Sequence, residues 1–564
     1  MIGLVTATAA GRAMARRLAT AWPGDCTVHS GPVRDQIRTA WAGSDALVCF
    51  LATGAAVRLL APLLSGKHTD PGVVCVDEAG THAVALLGGH AGGANTLAVK
   101  VCEVLGTQPV VSTATDVTGA TPLDTFGADL GFRLADRAAV AAVTRVVLDG
   151  APVRLVCDGV WPVPPLSTSD SGPLVAISDR LDASGDLVYR PPSLVVGVGA
   201  STGAPDGELE ALVRAGLAEA GLAIESVRGL ATADVKAGEP GINAVAERFD
   251  WPLRTFPAGE LAAVEVPNPS EVVRAAVGTP SVAEAAALLA AREAGRGAEL
   301  VLPKRSSAMG TVAIARLIPR GRLTLVGLGP GAADLRAPRA TEALRRAGVV
   351  VGLDQYVDQI RHLLRPGTRV LASGLGAEEQ RARTAVELAT AGHAVALVGS
   401  GDAGVYAMAS PALQLAGTDV DVEVVPGITA ALAAAALLGA PLGHDHAYLS
   451  LSDLHTAWPV IVRRLRACAA ADLVLCLYNP RSTRRTARFD EALKVLAEHR
   501  GPDTPVGLVR NASRPDEQVV HTTLGGLADE PSTVDMLTVV LVGSSRSTMA
   551  AGRLVTPREY RWLS

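Results

Sequence analysis

The sequence has few aromatic residues, and it lacks the concentrated positive charge that marks many nucleic-acid-binding proteins. Aromatic residues make up 3% of the 564 residues, and the net charge is −5. No cluster of lysine and arginine is interleaved with aromatic side chains. Affinity for nucleic acid depends on such clusters, so these absences argue against a nucleic-acid partner.

Paired cysteines and membrane-spanning runs are also absent. The seven cysteines form no CxxC pair and lie mostly in apolar segments, which predicts buried free thiols in a reducing compartment. The longest apolar run, Ile428 to Leu442, is interrupted by Gly439 and Pro441 and is too short to span a bilayer. The first residues run straight into a strand pattern, without a charged leader region. We therefore expect a cytoplasmic, soluble protein with no membrane partner.

Small apolar residues dominate what remains. The chain is 49% hydrophobic, and Ala, Val, Leu and Gly are abundant, which suits buried parallel sheets covered by helices. Its length predicts about two to four domains. In residues 1–118 we predict strands and helices that alternate, which indicates a parallel sheet. The predicted strands are Gly3–Ala7, Ala46–Leu51, Val73–Val76, Ala83–Leu87 and Val110–Ser112, and the predicted helices are Ala9–Thr20 and Gly92–Leu105.

A glycine turn follows a short buried strand predicted from Leu323 to Val326. Gly327, Gly329 and Gly331 have no Cβ, so the backbone there can approach a ligand closely. Taken alone, such a turn is as often structural as functional, and its spacing is not the GxGxxG dinucleotide fingerprint.

Three further segments, 398–407, 425–431 and 477–485, follow this turn in a fixed order. The ordered set resembles the class III methyltransferases of tetrapyrrole biosynthesis, which use S-adenosylmethionine. Within that class, residues 441–446, residues 449–454 and the Tyr-Asn-Pro-Arg-Ser segment are similar to the precorrin-3B C-17 methyltransferases. The resemblance covers about Arg322 to Trp562.

A second resemblance centres on Leu87–Thr96, where two glycine pairs flank His90. Amides at the start of a following helix would suit an anion, whereas Asn95 or Thr96 would equally serve as a helix cap. His90 itself is either functional or an exposed loop histidine. The motif resembles Gly-Gly-His-x-Gly-Gly-Ala-Asn of the cobalt-precorrin-5A hydrolases, a likeness that extends over about residues 1–318.

The two resemblances predict an α/β, multidomain chain in which small α/β domains of the hydrolase family precede a two-domain class III tetrapyrrole methylase. The expected domains are 1–118, a middle segment and linker at 119–192, then 193–318, 322–440 and 441–562. Residues 119–190 are less regular in pattern, and no chemistry is visible in them.

The resemblances also imply site residues. The catalytic candidates are His90, Lys236, Glu239 and His444. The cofactor-binding candidates lie in the glycine turns and are Gly327, Gly329, Pro330, Gly331, Gly401, Asp402, Val405, Tyr406, Pro426, Gly427 and Thr429. The substrate-binding candidates are Lys304, Tyr478, Asn479, Arg481 and Arg484. No metal site is predicted.

Alternatives remain open for several of these residues. Lys236 and Glu239, three apart, are either an acid/base pair or an ordinary surface ion pair. Asp402 either contributes to the cofactor site or only fixes its own turn, where the family usually has Asp-Pro-Gly and this chain has Asp-Ala-Gly. The arginines near Asn479 suit substrate carboxylates, because arginine can bind a carboxylate with two hydrogen bonds, or they form a solvated turn.

The resemblances imply a bifunctional enzyme of corrin-ring synthesis. Its C-terminal half would methylate C-17 of precorrin-3B, or the cobalt form, with ring contraction. Its N-terminal half would open the lactone of cobalt-precorrin-5A and release acetaldehyde. The alternative is a methyltransferase whose N-terminal half binds tetrapyrrole without catalysis. Class III methylases are typically dimers, so a homodimer is expected.

Overall fold

The computed structural model describes residues 1–66, 69–90, 92–481 and 486–558. The chain divides into two compact units. The first is Met1–Pro319 with Arg365–Thr368, and the second is Arg320–Leu364 with Arg369–Ser564. Within the described ranges, no helix combines the length and the apolar character needed to cross a membrane.

The first unit opens with a six-stranded sheet in the order β2-β1-β3-β4-β5-β6. Its strands are β1 Ile2–Thr6, β2 Cys26–Val28, β3 Ala46–Phe50, β4 Gly72–Val76, β5 His82–Leu87 and β6 Gln108–Val110, with helices α1 Ala9–Ala21, α2 Val33–Gly43, α3 Thr53–Leu60 and α4 Ala94–Leu105. All neighbouring pairs are parallel except β4 with β5. A tight turn at residues 77–81, in which Asp77 accepts the Thr81 amide, reverses the chain there. The sheet is therefore mainly parallel, as expected, but contains one antiparallel pair.

Residues 119–190 carry a four-stranded sheet, in a stretch whose sequence pattern is too irregular to predict its elements. Its order is β7-β10-β9-β8. The elements from the end of the first sheet onward are α5 Ala114–Thr118, β7 Arg133–Leu134, α6 Val140–Leu148, β8 Arg154–Cys157, β9 Leu174–Ile177 and β10 Leu187–Arg190. These strands are too short for a clear alternation of apolar residues. Tertiary contacts stabilise them: Tyr189 is fully buried, and its hydroxyl donates to the Leu123 carbonyl.

The third sheet has the order β13-β12-β11-β15-β14. Its elements are β11 Leu194–Ala200, α7 Asp206–Glu219, β12 Val227–Ala233, α8 Pro240–Phe249, β13 Leu253–Phe256, α9 Ala258–Ala262, α10 Glu271–Val277, α11 Ala283–Ala294, β14 Gly297–Ser306 and β15 Gly310–Ile318. Strands β11, β12 and β13 are parallel, and β15 runs antiparallel to β11. The carboxyl ends of β11 and β12 therefore lie side by side.

The second unit begins with a fully parallel sheet in the order β18-β17-β19-β16-β20. Its elements are β16 Gly321–Gly327, α12 Pro338–Arg346, β17 Val349–Leu353, α13 Asp354–Asp358, β18 Arg369–Ser373, α14 Glu378–Thr390, β19 Ala394–Gly399, α15 Ala409–Leu415 and β20 Val420–Val425. Helices cover both faces of a parallel sheet, which explains why β16 and β19 are almost continuously apolar and buried.

The rest of this unit contains a mixed sheet, β22-β23-β26-β24-β25, and a small sheet, β21-β28-β27. Their elements are α16 Ala430–Leu438, β21 Gly439–Ala440, β22 His446–Ser450, α17 Trp458–Ala470, β23 Val474–Tyr478, α18 Ala487–Ala497, β24 Pro505–Arg510, β25 Gln518–Thr523, α19 Leu524–Asp529, β26 Thr538–Val542, β27 Thr548–Ala550 and β28 Arg553–Val555. The loop from β24 to β25 reaches the turn after β16, as described below.

Candidate functional site

The predicted cofactor residues lie at the carboxyl ends of three adjacent parallel strands. Strand β16 lies between β19 and β20, and each of the three leads directly into one of the predicted turns. The crevice beyond the carboxyl ends of parallel strands is where ligands bind in open α/β sheets. The fold therefore brings together turns that are up to 100 residues apart in the sequence.

Close backbone packing joins the three turns. Gly329 and Gly401 exchange both of their backbone hydrogen bonds, with N···O distances of 3.0 and 2.8 Å. Gly401 has φ of +67°, which favours glycine. A Cβ on Gly427 would lie 2.2 Å from the Gly401 carbonyl oxygen, so only glycine fits there. The sequence predicts that these glycines allow a ligand to approach the backbone closely. In the structure they allow the turns to approach one another.

Asp402 joins two of the turns through its carboxylate. Oδ1 accepts the Gly404 amide at 2.8 Å, within its own turn, and Oδ2 accepts the Gly427 amide at 3.0 Å. Asp402 therefore fixes its own turn through one oxygen and joins it to the turn after β20 through the other. Ala403, in the place of the usual proline, is buried, and its carbonyl accepts the Ala409 amide at 3.0 Å. These contacts hold the loop without the proline.

Thr429 and Tyr478 hold the beginning of α16. The Tyr478 hydroxyl lies 2.6 Å from Thr429 Oγ1 and accepts the Ala431 amide at 2.9 Å. The first amides of a helix have no partner within the helix, so this hydroxyl acts as a cap supplied from β23. Burial raises the pKa of Tyr478, which keeps its hydroxyl protonated at neutral pH.

Three of the chain's six tyrosines meet beside the turns. The Tyr406 and Tyr478 rings lie 5.3 Å apart, and the Tyr448 and Tyr478 rings 5.9 Å apart. Tyr406 donates its hydroxyl to the Tyr448 carbonyl at 2.8 Å. Its φ of +52° is strained for a bulky residue, and its side chain is 53% exposed. The cluster presents an apolar, partly exposed wall next to the β19 turn.

Arg514, which the sequence analysis missed, contacts two of the predicted segments. Its Nε donates to the Pro330 carbonyl at 2.6 Å, and one Nη donates to Ser400 Oγ at 2.6 Å. The neighbouring Ser513 accepts the Ala332 amide at 3.2 Å. Nothing in the polar stretch after β24 distinguishes these residues from an ordinary surface turn, so only the fold reveals them.

The predicted substrate residues are less closely grouped. Asn479 adopts φ of +51°, and its side-chain amide donates to Ser450 Oγ at 3.1 Å. One Nη of Arg481 lies 3.9 Å from an Asp490 carboxylate oxygen. Arg484 and its neighbour Arg485 lie outside the described residues.

His444 lies in the loop before β22. Its side chain is half exposed, and Nδ1 accepts the Asp445 amide at 2.8 Å. Among the described residues, no group of three His, Cys, Asp or Glu side chains is arranged to hold a metal ion.

In the first unit, His90 Nε2 lies 2.6 Å from Thr115 Oγ1, which is buried. The anion-site expectation at this helix is wrong for its first two amides, because Ala94 and Asn95 donate to the carbonyls of Gly88 and Gly89. The expected cap is also wrong, since Gly93 is the N-cap residue and no side chain in the described part of the chain caps the helix.

Lys236 and Glu239 meet at the carboxyl ends of β11 and β12. Lys236 Nζ lies 2.9 Å from Glu239 Oε1, and the side chains are 18% and 12% exposed, so most of each side chain is shielded from solvent. Thr202, after β11, donates to the same oxygen at 3.2 Å. The hydrogen bond from Lys236 lowers the pKa of Glu239.

Lys304 and Arg305 lie near the end of β14. The Arg305 guanidinium is paired with Glu219, so it is already occupied by a carboxylate. The Lys304 backbone amide donates to Glu284 at 2.9 Å.

Known families match the two halves of the chain separately. Residues 322–528 match the tetrapyrrole (corrin/porphyrin) methylases. Residues 194–315 match the family described as cobalamin synthesis G C-terminus, and residues 35–116 match cobalamin synthesis G N-terminal. A "Probable cobalt-factor III C(17)-methyltransferase" of Salmonella typhimurium is 45% identical over 244 residues, which cover 42% of this chain and 99% of that protein.

The chain belongs to the tetrapyrrole methylase family. Its methylase half is joined to an N-terminal half with the two cobalamin synthesis G domains. The cobalt-factor III methyltransferase of Priestia megaterium is 41% identical over 43% of this chain and 46% of its own length. The CobIJ protein of Mycobacterium bovis is 42% identical over 46% of this chain and 53% of its own length. This chain thus spans about half of each of those two relatives.

A solved structure of the methyltransferase CobJ is 37% identical, covers 42% of this chain and all of that chain, and has a TM-score of 0.40. The glycine turns, Asp402, the tyrosine cluster and Arg514 all lie within the range matched by the tetrapyrrole methylases. The methylase half therefore contains every contact described above for the three turns.

Proposed function

We propose that the methylase half transfers a methyl group from S-adenosylmethionine to C-17 of precorrin-3B or its cobalt form, giving precorrin-4 or its cobalt form with ring contraction. The observation that carries this proposal is the convergence of the three glycine turns, together with 45% identity to a C(17)-methyltransferase over that protein's length.

The residues present fit this cofactor. The turns after β16, β19 and β20 are built from backbone and small side chains, with Gly404, Tyr406 and Pro426 exposed. S-adenosylmethionine supplies an electrophilic methyl group on a sulfonium, so the site needs rigid walls more than it needs a protein nucleophile. Gly327, Gly329, Pro330, Gly331, Gly401, Asp402, Val405, Gly427 and Thr429 would form or support those walls. Asp402 and Tyr478 hold the walls in place.

The tyrosine cluster and the cationic side chains of this half would hold the acceptor. A conjugated macrocycle presents a flat apolar face, which suits Tyr406, Tyr448 and Tyr478. Its carboxylates suit the guanidinium groups of Arg481 and Arg484, and Asn479 would donate a further hydrogen bond. His444 would take part in the proton transfers that ring contraction requires.

Product identification tests this assignment. The full chain is incubated with cobalt-factor III or precorrin-3B and S-adenosylmethionine carrying a ¹³C methyl group. We expect one labelled methyl at C-17 by NMR and the mass of the ring-contracted product. Label at another carbon, or no transfer to either acceptor, would refute the proposal.

For the N-terminal half, we propose lactone opening of cobalt-precorrin-5A with release of acetaldehyde. The Lys236–Glu239–Thr202 cluster, in which the lysine and glutamate side chains are mostly buried, favours it, because such a cluster at strand ends can hold a substrate and move a proton. His90, held by Thr115, and Lys304 are further candidates for this reaction.

The alternative for this half is tetrapyrrole binding without catalysis. Assays of acetaldehyde release with the full chain and with His90→Ala/Lys236→Met distinguish the two proposals. Loss of release in the double variant, with substrate binding retained, supports catalysis. Binding without any release by the wild-type chain supports the binding module.

We propose that the chain forms a homodimer through its methylase half. We further propose that it acts in the cytoplasm on labile intermediates. The fusion would keep these intermediates within one complex, although a C-11 methylation separates the two reactions. Equal conversion rates by separated and fused halves would contradict that role.

A further inference from the structure

Two arginines beside the Gly329–Gly331 turn have no carboxylate partner among the described residues. Neighbouring arginines in the methylase half are commonly paired, as Arg339 is with Glu423 and Arg361 is with Asp358. Arg336 and Arg514 form no such ion pair. Unpaired charge next to a ligand site is notable, because a partly buried cation gains free energy when an anion approaches it.

Arg514 contacts one end of the turn. Its Nε and one Nη are engaged by the Pro330 carbonyl and by Ser400 Oγ, both neutral acceptors. Its Cγ lies 2.4 Å from where a Cβ on Gly331 would be, so the side chain packs directly on the turn. The second Nη has no partner among the described residues and remains available to a ligand.

Arg336 lies at the other end. Its Cα is 3.7 Å from where a Cβ on Gly329 would be, directly after the short helical turn at Ala333–Leu335. Its Nε is buried and has no hydrogen-bond partner within the ranges that the structure describes. Desolvation lowers the pKa of Arg336, and no neighbouring carboxylate offsets this effect.

We propose that Arg336 and Arg514 form a carboxylate-binding subsite at the Gly329–Gly331 turn. This inference rests on the proposed function of the methylase half and adds residues that neither resemblance supplied. Arg336 and Arg514 are better placed for this role than Arg481, because the Arg481 guanidinium already lies near the Asp490 carboxylate.

Two sources of carboxylate exist in the proposed reaction. S-adenosylmethionine carries one in its methionyl portion, and the macrocycle carries several acetate and propionate groups. The spent cofactor S-adenosylhomocysteine contains the methionyl-type carboxylate, whereas 5′-methylthioadenosine has the same adenosyl thioether without it. This pair of ligands separates the two sources.

The test measures binding to the full chain by isothermal titration calorimetry for wild type, Arg336→Gln and Arg514→Gln. If the cofactor carboxylate binds here, both variants lose about tenfold or more affinity for S-adenosylhomocysteine, and affinity for 5′-methylthioadenosine is unchanged. A collapsed turn would instead weaken both ligands in parallel. The matched controls are Arg339→Gln and Arg510→Gln, which remove arginines that have carboxylate partners and lie three and four positions away in the sequence.

If macrocycle carboxylates bind here, S-adenosylhomocysteine affinity is unchanged and the affinity for uroporphyrin III, an octacarboxylate probe, falls by about tenfold in both variants. Wild-type affinities for all three ligands in both variants would overturn the subsite, as would parallel loss of both thioethers. Failure of wild-type protein to bind S-adenosylhomocysteine would count against the proposed function itself, so the two failures are distinguishable.

Discussion

Asp402 and Tyr478 show how single side chains hold backbone amides of segments far away in the chain. The Asp402 carboxylate accepts amides from its own turn and from the turn after β20. The Tyr478 hydroxyl accepts an amide of α16. Each side chain supplies an acceptor to a backbone amide. Loss of either acceptor therefore leaves that amide without a hydrogen bond.

Asp402→Asn removes one of two acceptors, because an amide side chain has only one oxygen. Hydrogen bonds to charged groups contribute about 1.5–3 kcal/mol, so we expect S-adenosylhomocysteine affinity to fall by about tenfold or more. Calorimetric titration measures this change. Asp421→Asn, an exposed carboxylate on β20, is the control and should bind normally. Unchanged affinity in Asp402→Asn would contradict the turn-joining role.

Tyr478→Phe keeps the aromatic contacts and removes the cap of α16. We expect a loss of about 1 kcal/mol in the free energy of unfolding of the methylase half, from the lost hydrogen bonds. Urea denaturation followed by circular dichroism measures it. Tyr448→Phe is the matched control, since the Tyr448 hydroxyl has no hydrogen-bond partner among the described residues. Equal losses in both variants would rule out a specific cap.

Lys236 and Glu239 predict a pH dependence of stability. The folded pKa of Glu239 lies below its unfolded value of about 4.3, so its contribution is present above that pH and is lost as the pH falls through the folded value. Lys236→Met should therefore lose more stability at pH 7 than at pH 3.5, relative to wild type. Thermal unfolding across this range tests it, with Lys100→Met, on α4, as the control. A constant difference at all pH values would contradict the pairing.

At the scale of elements, the site depends on three strand-end turns whose glycines pack backbone against backbone. Gly427→Ala would place a Cβ 2.2 Å from the Gly401 carbonyl oxygen. The β19 and β20 turns would have to separate, so we expect loss of methyl transfer and of S-adenosylhomocysteine binding. Gly417→Ala, where a Cβ meets only open space, should behave as wild type. Normal binding by Gly427→Ala would disprove the close packing.

Elements with continuous apolar runs could be predicted from the sequence, and those without them could not. The strands predicted at 46–51 and 73–76 are confirmed to within one residue. The β6 prediction was placed two residues late, since that strand is short and exposed. The strands of residues 133–190 were missed, because each has four residues or fewer and depends on tertiary contacts.

The same limit applies to the candidate site. Glycine and proline turns are visible in a sequence, so the three walls could be predicted. Arg514 and Ser513 could not, since their contacts join residues about 180 positions apart. Nor could burial of the Lys236–Glu239 pair, which spacing alone leaves indistinguishable from a surface pair.

For the whole molecule, the hydrophobic clusters of the described residues each lie within one of the two units. Each unit therefore has its own core, and calorimetry should resolve more than one unfolding transition. S-adenosylhomocysteine at a hundred times its Kd should stabilise only the methylase transition, by about 2.7 kcal/mol. Gly427→Ala should abolish this shift. A ligand-induced shift of every transition would contradict independent units.

The mutual hydrogen bonds of Gly329 and Gly401, together with the reach of Asp402 to Gly427, have a consequence for protein engineering. A single loop taken from a related methylase would lack the neighbouring turns with which it forms these hydrogen bonds. Chimeras that exchange all three strand-end loops as a set, with the β24–β25 connection, should accept a new specificity, whereas piecemeal swaps should yield inactive hybrids.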